Sequence, residues 1–115
     1  MKARLPDGYG KQNVNALMQQ AQEMQDQMQQ KQQLLKEEET KASAGGGMVE
    51  LTLRGDYTVT AVRIKPELAD PEEIEMLEDM VGAAFNEGVR LVNEKSEKEM
   101  EAISGAFPGL ANLGL

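Results

Sequence analysis

Between Val14 and Leu35 the apolar side chains fall at Val14, Leu17, Met18, Ala21, Met24, Met28, Leu34 and Leu35, with Gln, Lys and acidic residues between them. Intervals of three and four trace one stripe along an α-helix. The stretch "ALMQQAQEMQDQMQQKQQLLKEEE" holds no Gly, Pro, aromatic or β-branched residue to oppose it. The pattern predicts a helix over residues 14–38, capped by Asn13 or Asn15. Its Gln content fits a prion-like tract in composition alone, because such tracts lack a regular apolar stripe.

After this helix the period changes from helical to alternating. In "GGGMVELTLRGDYTVTAVRIKPEL" Val49, Leu51 and Leu53 point one way, and Glu50, Thr52 and Arg54 the other. A short strand near 39–43 is expected to turn through Gly45–Gly47 into this hairpin, and Gly55-Asp56 suits a tight turn with Gly at positive φ. The return strand runs from about Tyr57 to Lys65. Val59 has the opposite parity to Val62 and Ile64, which predicts a bulge near Thr60 or a sheet partly buried on both faces. No Gly-Lys-Ser/Thr follows the glycine run, so it is no phosphate cradle.

A second helix is predicted over residues 71–103, with Asp70 as N-cap, Pro71 in the first position and Glu73 completing a capping box. Its stripe is Ile74, Leu77, Val81, Ala84, Phe85, Gly88, Leu91 and Val92, resuming at Met100 and Ile103. Gly82 and Gly88 each cost a helix about 1 kcal/mol against Ala, and their small size suits close approach by another element. The expected domains are a flexible arm over 1–13, one dimerising domain over 14–104 and a flexible tail over 105–115.

The order helix, strand, hairpin, helix makes an α+β, α-β-β-β-α protomer with a small antiparallel sheet. Three strands span only about 10–15 Å, whereas the two helices measure ~38 and ~50 Å. A lone copy would expose more apolar surface than the roughly few hundred Å² a soluble protein tolerates. A symmetric dimer removes the excess. Met24, Met28, Val49, Leu51, Leu53, Val62, Ile64, Leu77, Val81 and Phe85 are the candidate core and dimer-interface residues.

Charge complicates the picture. The net charge is −8. Residues 1–36 carry five basic against three acidic side chains, 37–65 four against five, and 66–115 three against twelve. With no Cys and no His, thiol, Ser-His-Asp and His/Cys zinc chemistry are excluded. The acidic residues Glu72, Glu73, Glu75, Glu78 and Asp79 have no companion nucleophile and suit the positive end of a helix dipole. No enzyme, metal, cofactor or small-molecule substrate is therefore expected. The opening "MKARLPDGYGKQN" lacks a signal peptide's apolar run, and no segment reaches the ~18 apolar residues of a membrane span. A cytoplasmic protein with no membrane partner is expected.

The segment "EMLEDMVGAAFNEGVR", preceded by "VRIKPEL" and with "LMQQAQEMQDQMQQ" and "VELTLRGD" upstream, resembles the YbaB/EbfC family of bacterial nucleoid-associated proteins. The similarity covers about residues 14 to 104. The resemblance implies a tweezer-like homodimer whose long helices bind duplex DNA with little sequence specificity, organising the chromosome and modulating expression. It also implies phosphate contacts from basic residues of the helices. These positions are Lys31 and Lys36 on the first and Arg90, Lys95 and Lys98 on the last, with Lys11 in the positive N-terminal segment. The competing reading of the helix cations is ordinary salt bridging to Glu37–Glu39, Glu94, Glu97 and Glu99. Arg54, Arg63 and Lys65 read as solvated sheet edge. A dimer carrying twice −8 should bind DNA weakly and with steep salt dependence. The alternative function is an acidic, prefoldin-like scaffold or holdase whose Met stripe grips clients.

Overall fold

The computed structural model describes residues 9–111, with side chains described from 14 to 110. The elements are α1 (Tyr9–Glu37), β1 (Glu39–Ala44), β2 (Val49–Arg54), β3 (Val59–Ile64), α2 (Ile74–Gly105) and a short α3 (Pro108–Ala111). The chain is thus mixed α+β in the order α-β-β-β-α, with one terminal turn of helix added. Helix α1 begins at Tyr9, ahead of the expected Val14. Gly10 falls in its first turn, which lowers the weight of the glycine penalty there. The expected tail is helical over Pro108–Ala111, and its Leu110 is fully buried. By compactness Gln32–Lys98 form one unit, and a second draws on residues up to Lys31 and from Glu99 onward.

In the unit Gln32–Lys98 the sheet is antiparallel in the order β1-β2-β3. Gly45, Gly46 and Gly47 all have positive φ, at 63, 67 and 92°, and join β1 to β2 as the glycine run required. Thr52 pairs with Ala61 but Leu53 pairs with Val59, so Thr60 is the extra residue of a β-bulge. This is the bulge that the parity of Val59 left open as one of two readings. It restores Val59, Val62 and Ile64 to one face, and the Thr60 hydroxyl donates to the carbonyl of Thr52 at 3.3 Å.

The β2–β3 turn departs from expectation. Its left-handed residue is Tyr57, at φ 67°, and not Gly55. Tyr57 N–H donates to Arg54 C=O at 2.9 Å, Asp56 accepts from Thr58 N–H at 3.0 Å, and the Tyr57 hydroxyl donates to Asn93 Oδ1 of α2. Gly55 is needed for space. A Cβ there would stand 1.9 Å from the carbonyl oxygen of Leu35, at the end of α1.

Asp70 caps the second helical segment by accepting from Glu72 N–H at 2.9 Å. Pro71–Glu73 make a 3-10 turn that leads into α2. Ala84, Gly88 and Val92 are the buried residues of α2 and recur every fourth position. A Cβ on Gly88 would lie 2.4 Å from Leu53 Cδ1 and 3.5 Å from Ala42 Cβ. The close approach expected at the two helix glycines therefore occurs at Gly88, while Gly82 has nothing within 4 Å.

Leu53 and Ala42 identify the sheet face that α2 covers. The core there is Val49, Leu51, Leu53, Leu68, Ala84 and Val92, with Leu77, Met80 and Val81 packed at its margin. Ala42, Leu51 and Val62 are successive cross-strand partners, as are Val49 and Ile64. Cross-strand partners share a face, so Val62 and Ile64 continue the core face outward onto β3. They remain 51% and 41% exposed, with Val59 at 39% and Phe85 of α2 at 38%. In the other unit, Met24 and Met28 are half-buried along α1 on the same stripe as Leu17 and Ala21, while Val14 and Met18 are exposed.

Candidate nucleic-acid interface

Of the six basic residues singled out from the sequence, Lys11 lies outside the residues whose side chains are described. Lys31, at the end of the smaller unit's stretch of α1, sits 3.3 Å from Glu99. The other four belong to the unit Gln32–Lys98. Arg90 donates to Glu87 at 2.6 and 3.0 Å and to Glu94 at 2.8 Å. Lys98 reaches the second oxygen of Glu94 at 3.0 Å, and Lys95 reaches Glu38 at 3.2 Å. Lys36 makes no ion pair among the described residues; with Lys95 it lines a shallow hollow floored by Leu35 and Val92.

Helical spacing explains the pairing. Residues three and four apart on α2 lie side by side, so Glu87, Arg90, Glu94 and Lys98 form one alternating row. The Arg90 hydrogen bonds hold the Glu87 carboxyl below its usual pKa. Lys98 first, and then Arg90, do the same for Glu94. In return the Arg90 guanidinium is held more firmly protonated than usual, chiefly by Glu87. Carboxyls with depressed pKa values hold their charge to lower pH than free ones, so the row outlasts unpaired carboxylates as pH falls. The pairs are exposed, and such pairs contribute little to stability. Their consequence is electrostatic, because each cation arrives already neutralised.

From the sequence Arg54, Arg63 and Lys65 read as solvated sheet edge, and Lys41 stands apart from them on β1. Strand register brings them together. Glu39 faces Arg54, Lys41 faces Thr52 and then Ala61, and Ser43 faces Glu50 and then Arg63. All these residues lie on the sheet face opposite the core, where Lys41, Arg54 and Arg63 are exposed. Lys41, Arg63 and Lys65 make no ion pair among the described residues. The signal was present in the alternation of the three strands, but it becomes a patch only once the strands are laid in register.

No group of three or more acidic residues among the described residues is arranged to hold a metal ion. Among them, too, no helix is long and apolar enough to cross a membrane.

Residues 10–107 match a model of the YbaB/EbfC DNA-binding family. A nucleoid-associated protein of Clostridium botulinum (strain Eklund 17B / Type B) is 43% identical over 108 residues, which cover 94% of this chain and 96% of that protein. One from Agathobacter rectalis is 46% identical over 97 residues, covering 84% and 86%. An uncharacterized protein from Helicobacter pylori has a crystal structure that matches with a TM-score of 0.56 at 23% identity, over 68% of this chain and 90% of that one. That last likeness concerns the fold. The family description and the relatives' names point to nucleoid-associated DNA binding, not to an enzyme.

Proposed function

Because the chain belongs to the YbaB/EbfC DNA-binding family, we propose that it acts as a homodimer on duplex DNA with little sequence specificity. In this reading it organises the chromosome and modulates gene expression from the cytoplasm, at the nucleoid. The observation that carries the dimer is the half-covered core face: Val62 and Ile64 lie in line with Leu51 and Val49, yet α2 leaves them open. A second copy related by a two-fold axis offers the same strip in return.

DNA engagement rests on exposed cations that address phosphates. Phosphates repeat identically along any duplex, so such contacts position the protein without reading sequence. Lys31, Lys36, Arg90, Lys95 and Lys98 are the proposed contacts on the helices, together with Lys11 nearer the N-terminus. Lys31, Arg90, Lys95 and Lys98 must each exchange a glutamate for a phosphate, which keeps the net gain small and the affinity modest.

A gel shift on unrelated duplexes, with the dimer verified by sedimentation, tests this reading. About four phosphate contacts predict a loss on the order of 100-fold in affinity between 50 and 200 mM salt, with unrelated sequences within a few-fold of one another. Retention indifferent to salt, or confined to one sequence, overturns it.

The glutamate row makes a further prediction. Glu87→Gln combined with Glu94→Gln releases Arg90 and Lys98 and removes two negative charges per protomer. The double variant should bind duplex DNA about 10-fold more tightly than wild type at equal salt. Equal or weaker binding would show that these two cations do not meet DNA.

A further inference from the structure

The face of the sheet turned away from α2 carries more cations than anions in an acidic chain. Lys41, Arg54 and Arg63 stand on it, and Lys65 follows directly after β3, against Glu39 and Glu50. That is four cations to two anions in a chain of net charge −8. Unlike Lys31, Arg90, Lys95 and Lys98 of the helices, Lys41, Arg63 and Lys65 are not held by any carboxylate among the described residues, a state that only Lys36 shares among the helix cations described. Arg54 lies near Asp56 at the hairpin turn.

The geometry suits an extended anion. Residues two apart on a strand are ~7 Å apart and neighbouring strands ~4.8 Å apart, so Lys41, Arg63 and Lys65 span roughly 15 Å. At 3.4 Å of axis per phosphate on one DNA strand, that reach covers several consecutive phosphates. The centre of the face is Thr52 and Ala61, paired across β2 and β3. Both are small, so the longer cationic side chains around them can reach a backbone lying across the sheet. The hydrogen-bonded register holds their Cα positions, which makes a firmer platform than a loop would.

We propose that this sheet face is a phosphate-contacting surface for duplex DNA, separate from the cations of the helices. The proposal rests on the reading that the protein binds DNA, and adds where the unpaired positive charge meets it. It makes the sheet the principal source of affinity and the salt-bridged helices a lesser one.

The test replaces Lys41, Arg63 and Lys65 together with Gln and measures retention of a 40-base-pair duplex across salt. All three are exposed, so the fold and dimer should persist, with far-UV circular dichroism and sedimentation as checks. The expected result is at least ~10-fold weaker binding at 100 mM salt and a salt slope lower by about 3. The charge-conserving set Lys41→Arg, Arg63→Lys and Lys65→Arg should bind as wild type does. Because the chain has no cysteine, Ser43→Cys on this face takes a photoreactive maleimide at one position and should cross-link to the duplex. An unchanged slope in the Gln variant, or no cross-link, overturns the sheet face. If wild type itself fails to retain the duplex, the DNA reading falls instead, so the two failures are distinguishable.

Discussion

Gly55→Ala should lower the melting temperature by about 10–20 °C at fixed protomer concentration. The added methyl would stand 1.9 Å from the carbonyl oxygen of Leu35 and 2.6 Å from its carbonyl carbon. Both are backbone atoms at the end of α1, so no side-chain rotation makes room. Overpacking into a side chain costs roughly 1–3 kcal/mol, and a clash with backbone belongs at the upper end or above. For a domain of this size about 3 kcal/mol corresponds to the shift stated. Gly82→Ala is the control, since its Cβ would meet nothing within 4 Å, and the gain in helix propensity is up to ~1 kcal/mol. The same chemical change should therefore destabilise at one position and be neutral or stabilising at the other. Equal melting temperatures for Gly55→Ala and wild type would refute the close approach of hairpin and helix.

Val62→Glu with Ile64→Glu should convert the proposed dimer to a monomer at micromolar concentration. Each side chain is about half exposed in the protomer, so covering what remains is worth ~1 kcal/mol apiece. Two-fold symmetry doubles the pair to four side chains and ~4 kcal/mol, about a thousandfold in the dimerisation constant. Carboxylates forced into the same contact add a desolvation cost. Sedimentation measures the outcome, and Val62→Ser with Ile64→Ser gives a milder pair should the acidic one fold poorly. Both pairs remaining dimeric would place the interface elsewhere. If the dimer is what aligns two sets of cations on one duplex, retention should fall with it, because linked sites gain from effective concentration.

Phe85 belongs beside these residues. From its spacing it reads as part of the apolar stripe of α2, and it is 38% exposed in the protomer. An apolar position left open on this stripe suits a second copy, whereas Ala84 and Gly88 on the neighbouring line are used up by the protomer's own sheet.

Residue types and their periodicities determined the order of helices and strands, the Asp70 cap and the hairpin at Gly45–Gly47, and narrowed the parity break at Val59 to a bulge or a sheet buried on both faces. Each is a local consequence of which residue types stand at intervals of two, three or four. Resemblance of the motif order to a known family was equally legible, because it too resides in the chain itself. The left-handed residue of the second turn was misplaced, at Gly55 and not Tyr57, since the glycine answers a neighbour distant in sequence. Tertiary structure alone decided that neighbour, which glycine of α2 touches the sheet, and which cations among the described residues remain without an ion pair. Arg90 and Lys98 were within reach of glutamates by helical spacing, but Lys31 with Glu99 and Lys95 with Glu38 are pairs between distant segments. The cationic sheet face is the clearest case: Lys41, Arg54, Arg63 and Lys65 lie up to 24 positions apart in sequence. Only the register of three strands makes them one surface, because charge acts through distance in space and not along the chain.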